Sequence, residues 1–296
     1  MEIKHIVHTE INCQKWDTCI QNACNSLIYA ESWYLDMASP NWEALICGDY
    51  EYVMPLPVKK KYGITFLVQP PLTQQLGVFS SHRIEENIIV QFIQKIPYRS
   101  YHLNLNEQNP YHKGIKQPNL ILHLNKDYDT LFAAYSTNTK RNIKKAQQAG
   151  IYVLDNIQPE QFLKFYFSAI NNDAKPNENL TANILKTGCQ KEKLQLYAAY
   201  TAEHKLISVL CMLRAKGRLI YLLAASNETG KALSVMSLMV DNVIQNFADT
   251  HTIIDFEGSK VAGIARFYQG FGAETTTYLQ IRRNSVLQFM NFLRRK

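Results

Sequence analysis

Residues 194–225, LQLYAAYTAEHKLISVLCMLRAKGRLIYLLAA, decide how the fold is read. They divide into three mostly apolar runs, Leu194–Ala202, Lys205–Arg214 and Arg218–Ala225, joined by short polar turns. Such a pattern predicts an antiparallel β-meander. The layout recurs earlier in the chain. Trp42–Asp49 followed by Tyr50–Gln69 again gives an apolar strand, a polar turn, a strand ending in basic residues (Lys59-Lys60-Lys61, against Arg214-Ala215-Lys216) and a third apolar strand. A later pair of segments matches without a gap, since residues 92–106, FIQKIPYRSYHLNLN, lie over residues 243–257, VIQNFADTHTIIDFE. Two matches in one order at nearly the same offset indicate a duplicated domain.

The remaining elements follow from periodicity. The first half reads as helices at about 15–27, 33–38 and 84–95, with strands at 43–47, 52–59, 64–68 and 101–105. The second half reads as helices at about 128–149, 159–170 and 180–190, with a strand at 151–155 before the meander. After the meander come a helix at 234–247, a strand at 252–256, a short helix at 261–269 and a last strand near 276–282. An antiparallel meander followed by a crossover helix and one more strand predicts an α/β layered domain with a mixed, mainly antiparallel sheet flanked by helices. The expected division is residues 1–125 and 126–296.

Composition narrows the function classes. A chain of 296 residues can hold two cores, and 46% hydrophobic with 19% charged residues fits a globular protein rather than a disordered one. The longest clean apolar run, Leu219–Ala225, is far too short to span a bilayer, so a cytoplasmic protein without transmembrane segments is expected. Cys13, Cys19, Cys24, Cys47, Cys189 and Cys211 form no CxxC pair and flank no histidine at zinc-ligand spacing, so buried free thiols and no metal are expected. A net charge of +7 favours anionic partners without choosing among them. No Gly-x-Ser-x-Gly elbow or Walker loop occurs, which removes hydrolase and nucleotidase readings.

The residues that look most like chemistry lie at 255–273. A buried strand runs into Asp255 and Glu257, breaks at Gly258 and restarts as a helix carrying Tyr268, ahead of Gly272. As i and i+2 on a strand, the two acids are expected on one face, where like charges raise one pKa toward that of a useful base. The competing reading pairs them with Arg266 or Lys260, or uses them to cap the helix near Val261. Tyr268 can equally be a packed aromatic beside Phe267 and Phe271.

The order of elements in the second half, with Tyr268 four residues before Gly272, resembles the GNAT superfamily of N-acyltransferases. Two such halves in one chain resemble the Fem family, the peptidoglycan-bridge aminoacyltransferases associated with methicillin resistance, and related tandem GNAT proteins. Ser136–Ala146, followed by Gly150-Ile151, is similar to the basic helix that opens the second Fem half. The resemblance implies two tandem GNAT-like domains, the second catalytic and the first degenerate. It also implies backbone amides near the end of the strand at 218–225 that polarise a carbonyl, Tyr268 as proton donor to the leaving group, and Glu257 or Asp255 as base. In one respect the chain departs from the pattern: the third strand of the second half has no acid, where many relatives place their base.

GNAT proteins cradle the pyrophosphate of coenzyme A in a loop of the form Gln/Arg-x-x-Gly-x-Gly/Ala. Here Asn227, Gly230, Lys231, Ala232 and Ser234 occupy the corresponding place, with Asn227 instead of Gln or Arg; the alternative is an ordinary polar turn before a helix. The first-half counterpart has Gln74 and Gly77, but bulky Phe79 falls where a small residue is needed. Lys140, Arg141, Lys144 and Lys145 share one helical face opposite Ile143 and Ala146, either as a solvated surface or as a clamp for phosphates. The expected activity is N-acyl transfer from acyl-coenzyme A, such as acetyl-coenzyme A, to a small-molecule or cell-wall-precursor amine. Aminoacyl transfer from tRNA to a peptidoglycan precursor is the alternative, disfavoured by the lack of a basic coiled-coil arm. A non-catalytic ligand- or RNA-binding relative is the third reading.

Overall fold

The computed structural model describes residues 2–170, 175–258 and 261–284. In chain order the first elements are β1 (Ile3–Ile6), α1 (Cys13–Asn22), α2 (Ser32–Ala38), β2 (Glu43–Cys47), β3 (Tyr52–Leu56), β4 (Val58–Lys61), β5 (Ile64–Val68) and β6 (Phe79–Ser80). Next come α3 (Glu86–Gln94), β7 (Ser100–Asn104), β8 (Ile115–His123), α4 (Tyr128–Ala133), α5 (Thr137–Gln148), β9 (Tyr152–Leu154), α6 (Pro159–Ala169) and α7 (Glu178–Gln190). The chain continues with β10 (Leu194–Tyr200), β11 (Leu206–Ala215), β12 (Arg218–Ser226), α8 (Glu228–Ala232), α9 (Val235–Phe247), β13 (Ile253–Asp255), α10 (Ala262–Gln269) and β14 (Glu274–Asn284).

The described residues form two compact units, one of residues 2–117 with 277–284 and one within residues 118–276. In unit 1 a sheet of order β1-β2-β3-β6 is accompanied by β4-β5-β7-β14, and in unit 2 the order is β8-β13-β12-β11-β10-β9. The duplicated pattern is visible in the pairing. β5 pairs parallel with β7, Leu67 opposite Tyr101, and β12 pairs parallel with β13, Arg218 opposite Ile253. In each unit a helix, α3 or α9, makes the crossover between the two. Each unit is thus a mixed, mainly antiparallel sheet flanked by helices.

The division differs from the expected boundary at 125/126, and strand pairing gives the reason. β8 follows β7 in the chain but pairs with β13 in unit 2, Asp255 opposite Ile121. β14 follows α10 but pairs with β7 in unit 1, Gln280 opposite Asn104. The last strand of each repeat has been exchanged.

Local chemistry explains two other departures. The helix expected over 128–149 is two helices, because Ser136 caps the second by accepting from the Thr139 N–H at 3.2 Å. The strand expected over 52–59 splits at Pro57, which has no N–H for the ladder; β3 stays with one sheet and β4 joins the other. Unit 2 packs Tyr197, Met239, Ile244, Phe256 and Phe271 in one core, and unit 1 packs Leu56, Val78, Phe92 and Leu105 in another. Cys19, Cys47 and Cys211 are buried free thiols as expected, but Cys13 and Cys24 are exposed. Among the described residues no helix is long and apolar enough to cross a membrane.

Candidate active site

The parallel pair β12 and β13 opens a cleft in unit 2. Ile220 stands opposite Asp255, the last residue of β13, while β12 runs on through Tyr221 to Ser226. Beyond this register β12 runs on without β13, and a cleft of about 390 Å³ lies among the far end of β12, Lys231, Met236 at the start of α9, and Ile264, Phe267 and Tyr268 of α10. It stands at the carboxyl end of a parallel pair next to a crossover helix, where open α/β sheets bind ligands. Tyr221, Ser226 and Met236 were not singled out by sequence reasoning; only the register of the two strands brings them to the cleft.

Tyr268 is 7% exposed, stacks on Phe256 with ring centroids 4.5 Å apart, and meets Tyr221 edge-on at 5.4 Å. Burial, and secondly the charge of Glu257, hold its phenol far above the usual range. At working pH the hydroxyl is therefore protonated, which suits a proton donor and not a base. The expected packed-aromatic environment is present, since the ring is locked against Phe256 and Tyr221, and the residue also lines the cleft.

Asp255 and Glu257 do not share an open face. β13 ends at Asp255, and Glu257 (φ +56°) and Gly258 (φ +62°) take left-handed conformations that turn the chain toward α10. Gly258 is required there, because a Cβ would lie 2.4 Å from the Pro118 carbonyl oxygen. Asp255 is 1% exposed and ion-paired with Arg218, and its other oxygen accepts from the Glu257 N–H at 2.9 Å. The expected partner Arg266 is not involved, and Lys260 lies outside the described residues. The like-charged pair expected from i, i+2 spacing is thus replaced by a buried ion pair that holds Glu257 half-buried, with its charge acting on Tyr268. Arg218 went unnoticed in the sequence; an arginine opening an otherwise apolar strand was the available signal.

The loop expected to cradle a pyrophosphate is closed on itself. Residues 228–232 form the one-turn helix α8, capped by Asn227, whose Oδ1 accepts from the Gly230 N–H at 2.9 Å. Gly230 is small for packing reasons, since a Cβ would sit 2.4 Å from the Ile207 carbonyl oxygen. Lys231 Nζ donates to Glu228 Oε1 at 2.8 Å, and the Ala232 carbonyl accepts from Lys145 Nζ at 2.6 Å. Ser234 sits left-handed (φ +56°) at the start of α9 without a side-chain cap bond. Of these residues only Lys231 lines the cleft, and the Gly230 N–H is donated to Asn227. The loop thus offers a coenzyme A pyrophosphate neither the Gly230 amide nor an uncommitted lysine.

The basic helix α5 buries Thr139, Ile143 and Ala146, as its pattern predicts. Its cations are mostly committed. Lys140 Nζ donates to the Ala133 carbonyl at 2.8 Å and lies 5.5 Å from the centre of the Phe132 ring, and Arg141 donates to Asn138 Oδ1 at 2.7 Å. Lys144 is exposed and without a partner among the described residues. In unit 1, Asn104 and Asn106 replace the two acids. Asn104 Nδ2 donates to the Gln74 carbonyl at 2.7 Å, Asn106 Nδ2 to the Asn25 carbonyl at 2.9 Å, and Phe79 is fully buried. Among the described residues no group of three or more His, Cys, Asp or Glu could hold a metal ion.

No protein-family model matches the sequence, and no curated protein matches it. Solved structures do. FemX is similar over 98% of this chain and 99% of its own, with a TM-score of 0.70 at 11% identity. A C-terminal domain attributed to a lysylphosphatidylglycerol synthetase of Agrobacterium fabrum covers 95% of this chain and 94% of its own, with a TM-score of 0.55 at 5% identity. A tandem GNAT protein from the clavulanic acid biosynthesis pathway covers 95% and 99%, with a TM-score of 0.51 at 10% identity. With a crossover helix between paired parallel strands in each unit, the chain has the tandem GNAT-like fold that FemX also has.

Proposed function

We propose that unit 2 transfers an acyl group from an activated ester or thioester to an amine. The observation that carries this reading is Tyr268, buried and held protonated in the cleft beside the far end of β12, with the carboxylate of Glu257 acting on it. In the reaction the amine nitrogen bonds to the acyl carbon and gives up its proton to Glu257, directly or through water. The bond to the leaving oxygen or sulfur breaks, and that atom takes the phenolic proton of Tyr268. Transfer of the proton from Glu257 to the phenolate through solvent restores both groups. Asp255, committed to Arg218, is a positioning residue in this scheme and not the base.

The donor is weighed by two features. A closed loop at Asn227–Ala232 gives little support to acyl-coenzyme A, and a strongly raised phenol is better matched to protonating an alkoxide than a thiolate, the weaker base. An oxygen ester, as in an aminoacyl-tRNA, is therefore the second reading and the one these features favour. The acceptor we propose is a small-molecule or cell-envelope amine.

The test offers labelled acetyl-coenzyme A and labelled aminoacyl-tRNA separately to the protein with a panel of amines. Transfer from one donor should fall at least about 100-fold in both Tyr268→Phe and Glu257→Gln, the scale of one lost acid–base group. Undiminished transfer in both variants overturns the assignment, and the donor that is used decides between the two readings.

A further inference from the structure

A second cleft, of about 580 Å³, lies between α5 and the opposite side of α10. Asn138 and Asn142 line it from α5, and Gly263, Arg266, Phe267 and Gln269 from α10. Gly263 and Phe267 also line the cleft that holds Tyr268, so the two are adjoining spaces on either side of one short helix.

The lining of this second cleft contains no aspartate or glutamate. Arg266 is exposed, and among the described residues lining the two clefts it is the one cation without an acidic partner, Lys231 being bound to Glu228. The side chains of Asn142 and Gln269 likewise have no hydrogen-bond partner among the described residues. A second guanidinium stands just behind the rim, where Arg141 donates to Asn138 Oδ1 at 2.7 Å. Gly263 adds an independent sign. Among the described residues a Cβ there would meet nothing within 4 Å, so none of them requires the missing side chain, although glycine weakens a helix. A glycine with open space above it, where two clefts meet, leaves the helix surface clear for a ligand to cross.

We propose that the α5–α10 cleft is a phosphate subsite, which takes a nucleotide phosphate of the ligand whose reacting end lies against Tyr268, with Arg266 as its principal charge partner. The proposal rests on the acyl-transfer reading for what lies in the first cleft. It also supplies what the closed loop at Asn227–Ala232 does not, a place for the anionic end of a donor or acceptor. The free amides of Asn142 and Gln269 can donate to phosphate oxygens beside a guanidinium that binds them in a fork.

The experiment is calorimetric titration of the intact protein with uridine diphosphate, standing for a nucleotide-linked acceptor, and with adenosine 3′,5′-bisphosphate, standing for a nucleotide donor. Each is run at low and physiological salt against wild type, Arg266→Gln and Lys216→Gln, the last removing the same charge at the exposed β11–β12 turn. We expect at least one nucleotide to bind, at least tenfold more weakly in Arg266→Gln and within twofold of wild type in Lys216→Gln. The tighter nucleotide identifies which substrate carries the phosphate. Gly263→Leu, whose Cβ meets no atom of the described residues within 4 Å, should fold normally and weaken a ligand that spans both clefts. Equal weakening in Arg266→Gln and Lys216→Gln, unchanged affinity in Arg266→Gln, or no binding of either nucleotide by wild type at low salt overturns the subsite. Any of these leaves the acid–base assignment standing, because that is read from transfer rates in the Tyr268 and Glu257 variants.

Discussion

Arg218 and Asp255 are 7% and 1% exposed, so their ion pair is sealed in the core of unit 2. Removing one partner strands a buried charge, and Arg218→Met should lower stability by about 3–5 kcal/mol in urea unfolding. Pairing it with Asp255→Leu removes both charges and should restore most of that loss. Transfer activity should stay low in the double variant, because the Glu257 N–H has then lost the acceptor that holds its left-handed turn. Recovery of both stability and transfer would show that the pair only fills space. Gly230→Ala gives a contrasting case. Its Cβ meets the Ile207 carbonyl oxygen, so it should destabilise the fold by roughly 1–3 kcal/mol whether or not a ligand is present. At this scale the sequence drew attention to Tyr268 and Glu257 by residue type and place, and the structure puts Tyr268 on a cleft with the Glu257 charge acting on it. It did not announce that Asp255 belongs to Arg218, because that pairing depends on the register of two parallel strands joined by a long crossover, which no local pattern encodes.

Helix α9 illustrates what an element adds. Asp241 is 4% exposed on its buried side, and the Tyr128 hydroxyl donates to its two oxygens at 3.0 and 3.1 Å. The Tyr135 hydroxyl is buried close to the same carboxylate and interacts with it, although it makes no hydrogen bond of good geometry among the described residues. Burial raises the Asp241 carboxyl above its usual range, despite the phenols that lower it. A raised folded-state pKa stabilises the native state fully below the unfolded value, about 3.9, and that contribution is lost as pH rises through the folded value. At neutral pH the native state therefore carries a buried carboxylate at a cost. Asp241→Asn, which can still accept from Tyr128, should be more stable than wild type by about 1 kcal/mol at pH 7, with the gap closing near pH 4; a constant gap across that range would remove the titration as its cause. Such polar contacts between elements were invisible in the sequence, whereas the elements themselves were largely legible. β2 and β5 fall where alternation and apolar runs place them, and α9 ends at Phe247 as predicted. β8 was missed because Pro118 and the amides Gln117 and Asn119 break its apolar run, and β6 because two residues carry no period.

The whole chain is more interlaced than a simple tandem repeat. Asn104, at the position of Asp255, is satisfied by Gln280 Nε2 at 3.1 Å, and Gln280 comes from β14, a strand more than a hundred residues downstream that completes unit 1. Unit 1 has no counterpart of α10 between β7 and β8; the phenol of that segment, Tyr111, stands on a loop and packs against the unit 1 core. Internal similarity revealed the duplication but hid the exchange, because β8 and β14 lie outside the matched segments. The exchange makes a firm prediction about cutting the chain. A break after residue 125 leaves the first fragment without β14 and the second without β8, so β7 in one and β13 in the other lose an antiparallel partner and present bare edges. Expressed alone, each fragment should aggregate or unfold without cooperativity. Expressed together, they should form a one-to-one complex that restores both pairings and unfolds in urea with the cooperativity of the intact protein. A single fragment that runs as a monomer and unfolds in one sharp transition would show that its unit closes without the exchanged strand.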